Sequence, residues 1–197
     1  MAHRKRESYL IVPLFIPNQG CPYRCIYCIQ ERITSCSSPL TKDRIRHIIE
    51  TAISSKKFNE YSKREVAFFG GTFTNLSIEK IRDYLEAVRP YLRRALFKSI
   101  RVSTRPDFLD RERLELMREY GVEMIELGAQ SMNDEVLSET RRGHMVQDII
   151  DGITILKEHG FKIGIQLMPG LPKDTKERFL SGIEKVIRLR PNVVRLY

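Results

Sequence analysis

The chain has 197 residues, of which 42% are hydrophobic and 30% are charged, and its formal net charge is +9. The length fits one domain, and the balanced composition excludes a disordered or fibrous protein. No apolar run approaches the ~20 residues of a membrane-spanning helix, and no small-residue cleavage site follows the basic start, so we expect a cytoplasmic protein with no membrane association.

The excess of basic residues predicts an anionic partner, such as RNA or a phosphorylated substrate. These residues are scattered over several helical faces, however. A solvated basic surface without any partner therefore explains them equally well.

Short apolar runs alternate with amphipathic helical patterns along the chain. In chain order, the apolar runs are SYLIVPLFIP, REVAFFGG, FKSIRVST, VEMIELGAQS, FKIGIQLMPG and NVVRLY, and the helical patterns between them cover 41–56, 77–95, 110–121, 146–160 and 175–191.

Local signals mark some of the predicted helix ends. Asp110 and either Asp174 or Thr175 are suited to cap a helix at its start. Gly121 and Gly160 stand where helices should end.

Strands that alternate with crossover helices make a parallel sheet, so the fold class is α/β. A doubly wound open sheet and a partial TIM-type barrel both fit the alternation. Polar residues collect just past successive apolar runs, which is typical of a barrel whose site lies at the carboxyl ends of many strands. We therefore expect a partial TIM-type (β/α)6 barrel that ends at strand six.

One domain accounts for this pattern. We expect a basic tail at 1–7 and a core domain at 8–197. No helical pattern follows NVVRLY, so the edge and outer face of the sixth strand lack a cover, and exposed strand edges invite association. We expect the core domain to be truncated at its C-terminal end and to self-associate through the exposed sixth strand.

The segment CPYRCIYC, directly after the first predicted strand, carries the strongest chemical signal. Its cysteines are Cys21, Cys25 and Cys28, with CxxxCxxC spacing. Thiolates are soft ligands that suit iron–sulfur clusters and zinc, and three thiolates on a four-iron cube leave one iron open for a cofactor. Zinc would need a fourth ligand, for which Cys36 or His47 is available, and three structural cysteines are the remaining alternative.

Taken together, CPYRCIYC and the FFGGT that ends the second strand resemble the radical S-adenosylmethionine (SAM) superfamily. STRPDFLD, IELGAQSM, RRGH and QLMPGLP resemble more specifically the radical SAM domain of the Elongator catalytic subunit and its bacterial relatives, and less closely the oxygen-independent coproporphyrinogen oxidases. The resemblance implies two cofactors, a [4Fe-4S] cluster and SAM. It also implies a flavodoxin- or ferredoxin-like reductant protein as electron donor, and reductive cleavage of SAM to a 5′-deoxyadenosyl radical.

The resemblance assigns the three cysteines of CPYRCIYC as cluster ligands and catalytic residues, and leaves Cys36 as a spectator. Gly70, Gly71 and Thr72 match the family element that binds the methionine amino group of SAM. We expect the two glycines to let the backbone approach the cofactor closely and to leave carbonyl groups free for an ammonium.

Five further residues are candidate SAM contacts. Gln130, Arg142 and Gln166 align with SAM contacts of the coproporphyrinogen oxidases, where Arg142 would pair with the methionine carboxylate and the two glutamines would bond ribose or carboxylate oxygens. Ser103 stands where those oxidases carry a glutamate. Tyr27 stands where the family places an aromatic ring beside the adenine and the cluster. A solvated helix-end arginine is the alternative for Arg142, and loop packing is the alternative for Tyr27.

Period-two alternation adds a prediction about the barrel interior. If Gln130 faces inward, Glu126 does too, and Arg101 lies on the inward face of the preceding strand. A buried carboxylate needs a partner, so we expect Glu126 to pair with Arg101 or Arg195. Substrate binding is the alternative role for Glu126.

The expected function is therefore radical chemistry on an unidentified substrate, with RNA as a candidate because of the Elongator resemblance and the basic charge. Two alternatives stay open. One is a non-catalytic SAM- or RNA-binding module, and the other is a zinc-stabilised interaction domain.

Overall fold

The structure is a computed structural model that describes residues 8–29 and 40–197. The predicted tail at 1–7 and Cys36 lie outside these ranges. In the described part, six strands form one sheet in sequential order, and every neighbouring pair is parallel. The strands are β1 (Tyr9–Phe15), β2 (Lys63–Phe69), β3 (Ser99–Thr104), β4 (Val122–Gln130), β5 (Lys162–Leu167) and β6 (Val193–Leu196).

Helices connect the strands and include one short helix that the sequence pattern did not indicate, α4. Two single 3-10 turns, at Phe58–Glu60 and Phe73–Asn75, add to the connections. No helix in the described ranges is long and apolar enough to cross a membrane. The helices are α1 (Lys42–Ile53), α2 (Ile78–Arg93), α3 (Arg111–Glu119), α4 (Asp134–Glu139), α5 (Val146–Glu158) and α6 (Lys176–Arg188).

Side-chain caps fix where several helices begin. Asp110 accepts a hydrogen bond from the backbone N–H of Arg113, and Thr175, rather than Asp174, caps α6 by accepting from the N–H of Arg178. Gly121 and Gly160 follow the last residues of α3 and α5 with positive φ angles of 87° and 70°. Glycine adopts this left-handed conformation without steric cost, as the predicted helix ends require.

The sequential order of parallel strands, each linked to the next by a helical connection, confirms the predicted partial TIM-type barrel that ends at strand six. Central strands β3 and β4 are buried on both faces. Their outward side chains, such as Ile100 and Leu127, join the hydrophobic core beneath the helices. Their inward side chains include Arg101 and Glu126, so the concave interior of the half-barrel is polar.

The sixth strand is the least covered part of the sheet. Val194 and Leu196, which alternation places on one face, are 42% and 58% exposed. Leu180 and Ile187 of α6 are also more than half exposed. An open apolar surface of this kind is consistent with the expected association, and self-association itself stays a prediction.

Candidate functional site

A cavity opens at the carboxyl ends of the strands, where parallel barrels carry their sites. The structure brings every candidate site residue to its wall. These residues are Cys21, Cys25, Cys28, Tyr27, Gly70, Gly71, Thr72, Ser103, Gln130, Arg142 and Gln166.

The three cysteines are reduced, and each contacts a different wall of the cavity. The Sγ of Cys21 lies 3.3 Å from Thr72 Oγ1, that of Cys25 accepts from Arg142 Nη1 at 3.3 Å, and that of Cys28 lies 3.8 Å from Asn18 Oδ1. The sulfurs are therefore anchored around the opening at separate points.

This arrangement bears on the type of metal centre. Within the described ranges, no three His, Cys, Asp or Glu side chains lie close enough together to hold one metal ion. His47 is exposed on α1 and does not line the cavity, and Cys36, the other suggested zinc ligand, lies outside the described residues. A four-iron cluster binds each thiolate at a different iron, so three cysteines held at separate points around one cavity fit such a cluster.

Backbone hydrogen bonds tie the loop that carries the cysteines to the loop after β2. The N–H of Asn18 donates to the carbonyl oxygen of Gly70 at 2.8 Å, and the N–H of Thr72 donates to the carbonyl oxygen of Gln19 at 2.9 Å. A Cβ at Gly71 would lie 2.4 Å from the Gln19 oxygen and 2.7 Å from that of Ile16.

The structure gives each glycine of the pair a local reason beside the expected one, which stays a prediction. The close approach that Gly71 permits is to the cysteine loop, and one carbonyl that was expected to be free, that of Gly70, already accepts a hydrogen bond. Gly70 itself has a φ of 91°, which explains the glycine at that position without reference to a ligand.

Arg142 is buried in the cavity wall, so the alternative of a solvated helix-end arginine is wrong for it. Its Nη2 donates to the Gly128 carbonyl oxygen at 2.5 Å while Nη1 contacts Cys25. Burial alone would lower the pKa of Arg142, but Tyr27 and Cys25 raise it, so the guanidinium stays charged. The neighbouring Arg141 is exposed, as expected.

Arg105 was not assigned a role from the sequence, although it stands in the strand-end segment STRPDFLD. It is buried, holds Asp107 with two hydrogen bonds of 2.7 and 2.9 Å, and donates to the Arg142 carbonyl oxygen at 2.5 Å. Its guanidinium also lies 5.0 Å from the ring centroid of Tyr23 in the cysteine loop. Arg105 thus contacts both the segment after α4, at Arg142, and the cysteine loop, at Tyr23.

Gln130 ends β4 in a strained conformation. Its φ is 68°, and the register with β5 is irregular between Gly128 and Gln130. A left-handed conformation is uncommon for a residue other than glycine and often marks a functional site.

Several buried polar atoms of the cavity wall have no hydrogen-bond partner in the described part of the chain. Buried polar atoms are normally paired, so a set of unpaired ones around one cavity indicates a polar ligand. Burial is also the largest reason that the pKa of Tyr27 is raised. The unpaired atoms are Tyr27 Oη, Gln130 Oε1 and Arg142 Nε.

Beneath the cavity, the predicted interior pairing is confirmed. Glu126 is fully buried, and its Oε1 accepts from Arg101 Nη1 at 2.6 Å while Arg195 Nε lies 3.2 Å from Oε2. Both expected partners are present. Arg101 also binds Glu65, whose Oε2 lies 2.6 Å from Nη2, so the interior carries two carboxylates and two guanidinium groups.

The match to known families defines the class of protein. The model of the Radical SAM superfamily matches residues 15–186, so the chain belongs to this superfamily, whose members use a [4Fe-4S] cluster and SAM. The three anchored cysteines and the unpaired polar atoms of the same cavity fit that pair of cofactors.

Individual relatives support the resemblance to the Elongator catalytic subunit that the motifs indicated. The chain is 29% identical over 192 residues to an uncharacterized protein of Methanocaldococcus jannaschii, covering 90% of this chain and 57% of that protein. It is 32% identical over 157 residues to human Elongator complex protein 3, covering 68% of this chain and 28% of that protein. The chain thus spans less than two thirds of either relative.

Solved structures share the fold. The archaeal Elp3 of Methanocaldococcus infernus, with its N-terminus deleted, superposes with a TM-score of 0.70 at 23% identity, over 97% of this chain and 46% of that one. Coproporphyrinogen III oxidase (HemN) of Escherichia coli, described as a radical SAM enzyme, gives 0.63 at 22% identity, over 97% and 44%. At these identities, the likeness establishes the fold alone.

Proposed function

We propose that this chain is a radical SAM enzyme whose cavity binds SAM beside a cluster held by Cys21, Cys25 and Cys28. The observation that carries the proposal is that three separately anchored thiolates and three unpaired buried polar atoms lie around one cavity. When bound, the two cofactors supply reductive cleavage of SAM and a 5′-deoxyadenosyl radical. The residues of the chain supply binding, orientation and exclusion of water.

In this proposal, different residues of the cavity bind different parts of SAM. Gly71 and Thr72 present backbone to the methionine amino group, and Gln130 offers the unpaired acceptor Oε1. Arg142 donates from Nη1 to Cys25 and from Nη2 to Gly128, so its unpaired Nε and the second N–H of each Nη are the donors left for the methionine carboxylate. Tyr27 lines the cavity, and its ring would pack beside the adenine.

Arg142 and Arg141 are adjacent arginines in opposite environments, which makes them a matched pair for testing the SAM site. Arg142→Gln removes a charge-assisted hydrogen bond worth roughly 1.5–3 kcal/mol, so SAM binding should weaken about tenfold or more and 5′-deoxyadenosine release should fall. Arg141→Gln should match the wild type. Iron content of each variant is measured first, and equal SAM affinity in both variants would contradict the assignment of Arg142.

We extend the proposal to an anionic substrate, with RNA as the first candidate. The net charge is +9, and Arg24 and Lys173 are exposed on loops that follow β1 and β5 at the cavity end of the barrel. Lysine and arginine that neutralise phosphates release condensed counterions, so RNA binding should weaken steeply with salt.

A double variant tests whether these residues bind RNA. Arg24→Gln with Lys173→Gln should weaken tRNA binding at low salt. It should also reduce the slope of log binding constant against log salt concentration by the amount expected for about two phosphate contacts. The matched control is Lys98→Gln with Arg190→Gln, which removes an exposed lysine and arginine just before β3 and β6, at the other end of the barrel. Absence of binding by the wild type at low salt would favour a small-molecule or protein substrate.

The remaining parts of the proposal concern domain organisation and partners. The basic tail at 1–7 precedes a core domain at 8–197, and a flavodoxin- or ferredoxin-like protein delivers the electron. Self-association through β6 is supported by the exposure of Val194 and Leu196. SAM binding without release of 5′-deoxyadenosine, after reduction of a cluster-loaded protein, would favour the non-catalytic binding module instead.

A further inference from the structure

Arg142 is a buried cation without a carboxylate partner in the described part of the chain. Only 8% of the residue is exposed. Other buried guanidinium groups of the barrel are paired, Arg101 with Glu126 at 2.6 Å and Arg105 with Asp107 at 2.7 Å. Within residues 8–29 and 40–197, no ion pair includes Arg142, and the groups that hold its charge are a phenol and thiols. A buried charge is costly unless it is paired, so Arg142 needs a negative charge from another source.

The hydrogen bonds of Arg142 direct its charge at one cysteine. Nη1 donates to Cys25 Sγ at 3.3 Å, and Nη2 donates to the Gly128 carbonyl oxygen at 2.5 Å. Two ionisable rings nearby add no charge at neutral pH, because the phenol of Tyr27 ionises only near pH 10 or above and burial is the main cause that lowers the pKa of His144 to about 3. A cysteine that binds iron does so as a thiolate. The Cys25 thiolate is then the negative charge that Arg142 contacts.

A fixed cation at a cluster thiolate affects electron transfer. Reduction makes a cluster and its thiolates one charge more negative, and hydrogen bonds to the sulfurs are among the factors that set the reduction potential. The influence of a charge is stronger in a buried site than in water. Arg142 is held in place, because Gly128 accepts from its side chain and Arg105 donates to its carbonyl oxygen at 2.5 Å. Its charge should therefore stabilise the reduced cluster more than the oxidised one.

We infer that Arg142 raises the reduction potential of the cluster by holding a positive charge against Cys25. This role rests on the proposed cluster site and is separate from the contact of Arg142 with SAM. It concerns the electron rather than the ligand, since a higher potential lets a flavodoxin- or ferredoxin-like donor reduce the cluster more completely. Gly128 and Arg105 are the positioning residues that keep the guanidinium at the sulfur.

The test is a redox titration of the cluster-loaded protein, followed by the EPR signal of the reduced cluster. It is carried out without SAM, so that the SAM contact of Arg142 plays no part. Arg142→Gln removes a charge-assisted hydrogen bond, and the ratio of reduced to oxidised cluster at a fixed potential should fall about tenfold or more. For a one-electron couple, a tenfold fall lowers the midpoint by about 59 mV.

Two arginine variants serve as controls. Arg142→Lys keeps a positive charge at the site, so its ratio should stay within about threefold of the wild type. Arg141→Gln removes the same formal charge from the exposed neighbour, where solvent screens it, and should shift the ratio by less than about twofold. If Arg142 were only structural, Arg142→Gln would lose stability or iron while the molecules that keep a cluster titrate at the wild-type midpoint. That result would overturn the inference.

Partial loading does not prevent the measurement, because the midpoint reports only the molecules that hold a cluster. If Arg142→Gln holds none, Arg142→Met is the second neutral variant, and a wild-type midpoint there contradicts the inference. If neither neutral variant holds a cluster, Arg142→Lys decides, since a ratio lower by about tenfold despite the retained charge would contradict the role of the charge.

A further comparison separates this inference from the proposed function. A wild type that holds a cluster and releases 5′-deoxyadenosine, but shares its midpoint with Arg142→Gln, would refute the redox role alone. A wild type that takes up zinc and gives no EPR signal of a reduced cluster would refute the proposed function as well.

Discussion

Replacing His144 should flatten the acid side of the pH–stability profile. His144 is 2% exposed, and its Nδ1 lies 4.0 Å from Asp107 Oδ1, beyond hydrogen-bond range. Burial is the main cause that lowers its pKa to about 3, and the nearby charges of Arg142 and Arg105 add to it. The folded protein therefore keeps a neutral imidazole at a pH where the unfolded chain already binds a proton.

The direction and size of the change in the free energy of unfolding with pH follow from proton linkage. Because the folded pKa lies below the unfolded value of roughly 6.5, the stability that His144 contributes is present above that value and is lost as pH falls toward 3. Between pH 7 and pH 5, the loss is about 2 kcal/mol. For a chain of this size it corresponds to roughly 4–8 °C in the thermal midpoint.

The assay is thermal unfolding of the wild type and His144→Asn at pH 8, 7, 6 and 5. The variant is expected to be less stable at pH 8 but to lose about 2 kcal/mol less on acidification. His47→Asn, at an exposed position on α1, serves as the control and should follow the wild type. Parallel profiles for the wild type and His144→Asn would refute the burial argument.

Two further substitutions test the interior and the loop contact. Glu126→Ala should destabilise by about 3 kcal/mol, because a buried Arg101 loses one carboxylate but keeps the other. Glu115→Ala, which breaks an exposed helical ion pair, should cost less than about 0.5 kcal/mol in the same chemical unfolding assay, and equal losses would show that Glu126 is not part of a buried pair. Gly71→Val should lower the thermal midpoint even without cofactors, because its side chain would collide with the Gln19 carbonyl oxygen. A variant with unchanged stability that fails only to bind SAM would instead favour the cofactor-approach explanation for Gly71.

The fold was predictable because a helical pattern separates each of the six apolar runs from the next, as a parallel α/β arrangement requires. The site was predictable for a related reason. Parallel strands end at the same edge, so residues just past each apolar run meet there. Alternation along β3 and β4 also predicted the pair of Arg101 and Glu126, because burial on both faces leaves the inward side chains no solvent.

The contacts of Arg142 could not be predicted. Arg142 and Cys25 are 117 positions apart, and no local pattern indicates that the guanidinium reaches the thiol and the Gly128 carbonyl. The left-handed conformation of Gln130 is similarly absent from the sequence pattern. Gly71 was interpreted from a motif, and only the position of its missing Cβ shows that the neighbour is the cysteine loop.

The central claim is that Cys21, Cys25 and Cys28 hold a [4Fe-4S] cluster at which SAM is cleaved. It is tested most directly by anaerobic reconstitution, followed by iron analysis, EPR of the reduced protein and quantification of 5′-deoxyadenosine. The wild type should bind about four irons and release 5′-deoxyadenosine on reduction. Each of the three alanine variants should lose that release, while Cys36→Ala keeps both the cluster and the activity. A stoichiometric zinc ion after reconstitution, or loss of the cluster in Cys36→Ala, would contradict the account.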